Sequence, residues 1–121
     1  MEAVVISGSR FYKNEEKMRR ILTGLHERHP NITLIVGDCK GADFIARKIA
    51  KERGIKLEIF EAYWDMYGKK AGPIRNKEMI LRTKTFDEYY ILIFHENLEK
   101  SKGTVNFISL LDPMDQYSIF R

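Results

Sequence analysis

The sequence predicts a doubly wound α/β domain: a three-layer sandwich around a mostly parallel five-stranded sheet of order 3-2-1-4-5. Three observations lead there. Short apolar runs alternate with segments of helical periodicity along the whole chain. The run Tyr90 to Phe94, YILIF, is apolar throughout, as a central strand buried on both faces must be. The chain has 121 residues, 44% of them hydrophobic, which suits one domain and leaves little room for two. Right-handed crossovers and one reversal of strand order then make residues 1–121 a single Rossmann-like unit.

The elements follow in order. Ala3 to Ser7 is the first strand. Met18, Ile21, Leu22 and Leu25 share one face of the first helix. Asn14 can cap that helix, and Glu15 and Glu16 suit its first turn. Thr33 to Val36 is the second strand. Ile45, Ala46, Ile49 and Ala50 mark the second helix, which Gly54 ends. Leu57 to Phe60, interrupted by Glu58, suits a half-exposed edge strand. Tyr63 to Gly72 reads as irregular. Pro73 suits the first turn of a third helix reaching about Lys84. After the central strand, a loop from His95 to Gly103 leads to a fourth helix starting near Thr104. Tyr117 to Phe120 is the last edge strand.

Composition excludes several classes. No apolar run is long enough to span a membrane, and Met-Glu-Ala-Val-Val lacks the cations of a targeting segment. A single cysteine, Cys39, rules out an internal disulfide and fits a reducing cytoplasm. The net charge of +4 favours anionic partners without amounting to a nucleic-acid footprint. No Cys/His set has metal-site spacing, and no cofactor is expected.

Doubly wound sheets bind ligands at the carboxyl ends of their strands, beside the point where strand order reverses. Four segments follow strands here: GSRFY, GDCKGAD, WDMYGKKAGPIRN and SKGT. Each has glycine and a cation. Glycine permits close backbone approach, and helix N-termini favour anions. These segments hold the candidate ligand-binding cations Arg10, Lys40, Lys70, Arg75 and Lys102, with Asp43 and Trp64 beside them. Asp43 would repel a phosphate, so a ribose hydroxyl or an amine suits it better. Arg75→Ala is expected to cost ligand affinity more than stability. Tyr63, Trp64 and Tyr67 can stack on a base or cover the open sheet edge. Cys39 reads as an inert thiol, His26 and His29 as solvated, and His95 as able to reach the site. None of the four segments is a G-x-G-x-x-G or P-loop fingerprint, which counts against dinucleotide oxidoreductases and Mg-ATPases.

SGSRFY, LIVGDCKGAD, YGKKAGPIRN and SKGT together resemble the YspA-like branch of the SLOG superfamily, which includes DprA and the LOG enzymes. The resemblance runs from Val4 to about Asn106. It implies a Rossmann-like fold that binds a nucleotide or nucleotide-derived ligand, such as an ADP-ribose-type signal, in a phage or bacterial protein that self-associates. Through that resemblance Gly8 and Ser9 join Arg10 as candidate ligand-binding residues in the first family loop, Gly37 and Gly41 join Asp43 in the second, and Gly72, Pro73 and Asn76 join Arg75 in the third. Ser101, Gly103 and Thr104 match the phosphate loop of LOG enzymes, but Phe107 stands at the position of their catalytic Glu. The resemblance thus implies binding without catalysis. The alternatives are a LOG-like hydrolase of an N-glycosidic or phosphate bond, and single-stranded nucleic-acid binding as in DprA.

Overall fold

The period-two pattern of the first strand decides which helices cover which face of the sheet. In the computed structural model, which describes residues 1–97 and 102–121, β1 is Glu2–Gly8. Val4 and Ile6 point one way, into a core with Leu34, Val36, Leu92 and Phe94. Ala3 and Val5 point the other way, into a second core with Ile35, Ile91 and Ile93. Helices α1 (Glu15–Arg28) and α2 (Ala42–Arg53) close the first core through Met18, Leu22, Ile45 and Ile49. The second is closed by α4 (Ala71–Thr83) and α5 (Lys102–Ser109), through Met79, Ile80 and Phe107.

The remaining strands are β2 (Thr33–Gly37), β3 (Lys56–Phe60), β4 (Glu88–Phe94) and β5 (Ser118–Phe120). All pairings are parallel and the order is β3-β2-β1-β4-β5, as the sequence predicts. β1 lies between β2 and β4, so the order reverses there and a crevice opens beyond the ends of β1 and β4. The edge strand β3 is half exposed, and Glu58 on it pairs with Arg82 of α4 at 2.8 Å. Asn14 caps α1 by accepting from the Lys17 amide at 3.2 Å. Gly54 ends α2 in the left-handed conformation at φ 70°.

Three expectations need correction. The segment read as irregular folds into a one-turn helix α3 (Trp64–Tyr67) and a 3-10 turn (Gly68–Lys70) that runs straight into α4. Because the Ala71 amide donates to the Gly68 carbonyl, the start of α4 is partly satisfied by its own chain. The last helix starts at Lys102 rather than near Thr104. His29 is half-buried rather than solvated: its Nε2 meets the Tyr90 hydroxyl at 3.0 Å, and its Nδ1 pairs with Glu2. Among the described residues, no helix is long and apolar enough to cross a membrane.

Candidate functional site

The crevice beyond β1 and β4 is a cavity of about 880 Å³, within the range of small-molecule sites. Gly8, Ser9 and Arg10 line it from the end of β1, and His95, Glu96 and Asn97 from the end of β4. Gly72, Pro73, Arg75 and Asn76 come from the start of α4, and Lys102, Gly103 and Thr104 from the start of α5. Asp43 and Trp64 also reach it. Twelve of the seventeen residues expected from the sequence thus line one cavity: Gly8, Ser9, Arg10, Asp43, Trp64, Gly72, Pro73, Arg75, Asn76, Lys102, Gly103 and Thr104. Gly37, Lys40, Gly41 and Lys70 do not line it, and Lys69 takes the place expected of Lys70. Ser101 lies outside the described residues.

The loop after β2 serves the chain's own backbone. The carbonyl of Ser9 accepts the Ala42 amide at 3.0 Å, so the first amide of α2 is not offered to an anion. Gly41 has φ 68° and ψ −124°, and a Cβ there would overlap the Ser9 carbonyl oxygen. At Gly37 a Cβ would sit 2.5 Å from Arg75 Nη1 and 2.6 Å from Asp43 Oδ2. The glycines of GDCKGAD are therefore required by close internal packing. Position explains this: β2 is one strand away from the crevice, and its loop packs under the β1 loop.

A polar cluster centred on the buried Arg75 and Asn76 sits on the cavity wall. Arg75 Nη1 donates to Asp38 Oδ1 at 3.0 Å, and Arg75 Nε donates to Asn76 Oδ1 at 3.0 Å. Asp38 Oδ2 accepts the Ala62 amide at 3.2 Å, which ties the β2 loop to the segment after β3. Asn76 Nδ2 donates to Asn106 Oδ1 at 3.1 Å and to the Gly103 carbonyl at 3.4 Å, which joins α4 to α5. Arg75 and Asn76 thus shape the wall, and their side-chain bonds are made within the protein. Arg47 Nη1 donates to the Gly37 and Cys39 carbonyls at 2.8 and 3.0 Å, fixing the loop from its other side.

Asp43 is buried, and its Oδ2 accepts the Cys39 amide at 3.3 Å. Burial pushes its carboxyl up from 3.8 to about 6, against the pull of the Arg75 guanidinium, the Cys39 amide and Arg47; Asp38 adds to the rise. The folded-state value lies above the unfolded one, so the native state binds more protons between those two values. Stability contributed by this group falls as pH rises through that window. Replacing Asp43 with Asn removes the titration. The stability of Asp43→Asn relative to wild type should climb from its minimum near pH 4 to a gain of about 2–3 kcal/mol at pH 7. Urea denaturation across that range checks this, and a pH-independent difference would refute it.

The mouth of the cavity has a different character. Phe11 is 78% exposed and Trp64 45% exposed, and both line it. The Arg10 guanidinium lies 5.8 Å from the centroid of the Trp64 ring. Exposed Lys69 and Lys102 add positive charge, and no salt-bridge partner is found for Arg10, Lys69 or Lys102 among the described residues. Deeper in, Ser9 is buried; its Oγ–H donates to Glu96 Oε1 at 2.8 Å while its oxygen accepts the Phe11 amide at 2.9 Å. Partial desolvation works to raise the Glu96 carboxyl, yet hydrogen bonds from its own backbone amide and from Ser9 hold it below the ordinary carboxylate range. Phe11, Met79, Asn97 and Asn106 also line the cavity without having been expected. Glu96 directly follows the central strand, so the strand-end rule reaches it; Asn106 carries no such signal, because only the packing of α5 on α4 brings it there. Among the described residues, no group of three or more His, Cys, Asp or Glu could hold a metal ion.

Comparison with known proteins adds two matches. Residues 3–67, from β1 through α3, match the model of a family described as YspA, cpYpsA-related SLOG. The Gene 61 protein of Mycobacterium phage D29 is similar, 35% identical over 86 residues that cover 66% of this chain and 69% of that protein. No solved structure matches.

Proposed function

Because the chain belongs to the YspA, cpYpsA-related SLOG family, for which nucleotide-related binding is the general expectation, we propose that the cavity binds a nucleotide or nucleotide-derived ligand without turning it over. The observation that carries this reading is the division of the cavity rim: aromatic faces at Phe11 and Trp64, cations at Arg10, Lys69 and Lys102. A base needs a ring to stack on, and a phosphate needs countercharge and helix-terminal amides. The first turn of α5, Lys102 to Thr104, is suited to the phosphate. The cavity has room for a ligand as large as ADP-ribose.

Binding without catalysis is favoured by Phe107. That ring is fully buried in the core beneath α5, so the place of a LOG-type acid is filled by hydrocarbon. Titration calorimetry against nucleoside monophosphates, diphosphates, cyclic nucleotides and ADP-ribose tests the proposal. Absence of heat from every compound at millimolar concentration would refute it. The Trp64 side chain is half exposed at the rim, so Trp64→Ala should cost about 1–2 kcal/mol of stability through the lost burial of its ring. It should weaken the bound nucleotide about 5- to 100-fold, the range of lost base stacking. Unchanged affinity would remove the stacking role.

A further inference from the structure

We infer that His95 and Glu96, consecutive residues at the end of β4, form a corner that reads a sugar hydroxyl and so selects a ribose over a deoxyribose in the ligand. The inference rests on the nucleotide reading above and deepens it.

His95 is only 3% exposed, yet it lines the cavity. Its Nδ1 lies 2.8 Å from the backbone nitrogen of Asn97. A backbone N–H can only donate, so Nδ1 is the acceptor and the ring proton sits on Nε2. No acceptor for Nε2 is found among the described residues, so this donor is unspent on a residue that lines the cavity. The His95 amide is bound to the Phe120 carbonyl at 2.8 Å, so the backbone that carries the ring is anchored to β5.

Glu96 supplies the complementary acceptor. The buried Ser9 hydroxyl anchors its Oε1 and orients the carboxylate. An ionised carboxylate offers about four lone-pair sites, and the Ser9 hydroxyl and the residue's own amide use only part of them. The corner therefore combines one N–H donor with a free carboxylate acceptor. A phosphate is repelled by the carboxylate, and so belongs at Lys102 and Lys69 instead. An exocyclic amine satisfies the carboxylate but turns its own protons toward the imidazole N–H. A hydroxyl donates to the carboxylate and accepts from the imidazole at once. The vicinal diol of a ribose is the part of a nucleotide that presents such groups.

The test is titration of each of the four ribonucleoside 5′-monophosphates and its 2′,3′-dideoxy counterpart into wild type, Glu96→Gln and His95→Gln. Wild type should prefer the ribonucleotide on the order of tenfold or more, as expected for hydrogen bonds to a charged acceptor. Glu96→Gln should remove most of that preference by weakening the ribonucleotide, with dideoxy affinity kept within about twofold. His95→Gln retains an N–H donor and should keep more of the preference than Glu96→Gln does. Equal affinity of wild type for the two sugars would overturn this inference and leave the nucleotide reading standing. Equal weakening of both ligands by Glu96→Gln would overturn it as well. Failure of every compound to bind would instead refute the nucleotide reading, and this inference with it.

Discussion

Gly41→Ala is expected to destabilise the fold by about 3–5 kcal/mol, the sum of a backbone strain and a steric overlap. At φ 68° and ψ −124°, Gly41 occupies a region that residues with a Cβ rarely adopt. The added methyl would also meet the Ser9 carbonyl oxygen, which is engaged with the Ala42 amide, and the backbone of Arg10. Neither is the flexible end of a side chain, so neither can yield cheaply. For a chain of 121 residues, such a loss lowers the melting temperature by roughly 10–20 °C. Gly54 supplies the control. Its φ is 70°, but a Cβ there would meet nothing within 4 Å, so Gly54→Ala should cost only about 1–2 kcal/mol. Thermal unfolding of the two variants compares a left-handed glycine in open space with one that adds a steric overlap and a rarer backbone conformation. Equal losses would show that the close approach of the β1 and β2 loops is not what demands glycine.

Arg75→Ala should be nearly as damaging, at about 2–4 kcal/mol. The guanidinium is buried to 10% side-chain exposure and holds Asp38 at 3.0 Å. It is also the strongest of the influences that oppose the rise of Asp43. Without it, Asp43 becomes a buried charge with less compensation, and its carboxyl moves further up. The loss should therefore be larger at pH 8 than at pH 5, where protonation removes the charge. Arg75→Lys should not restore stability, because an ammonium cannot reach Asp38 and Asn76 with the same fork of donors. Urea denaturation at the two pH values measures this. A loss that is independent of pH would separate Arg75 from Asp43. The expectation from sequence alone, that this substitution acts mainly on ligand affinity, changes once the cluster is seen: the wall of the cavity and the stability of the domain share one side chain.

Much of the molecule was legible in the chain. Alternation in the strands, the apolar run of β4 and the helix caps at Asn14 and Gly54 are local signals. Local signals survive folding when the tertiary contacts agree with them. Parallel topology followed, since consecutive strands joined by helices have few other solutions. The strand-end rule then brought Gly8, Ser9, Arg10, Gly72, Pro73, Lys102, Gly103 and Thr104 to one cavity. Gly37, Lys40 and Gly41 do not line that cavity, because a glycine-rich loop open to a crevice and one packed on its own backbone are composed alike.

By itself, then, the sequence determined the class of fold and the order of the strands, and it pointed to the cavity at the strand ends. Periodicity and connection rules are properties of neighbours along the chain. Only the tertiary structure decided what each polar side chain does on that rim. Asp38 and Arg75 are 37 residues apart, and Ser9 and Glu96 are 87 apart. Whether such a group is left open to a ligand or consumed by a distant partner depends on contacts of that separation, and no local pattern encodes them.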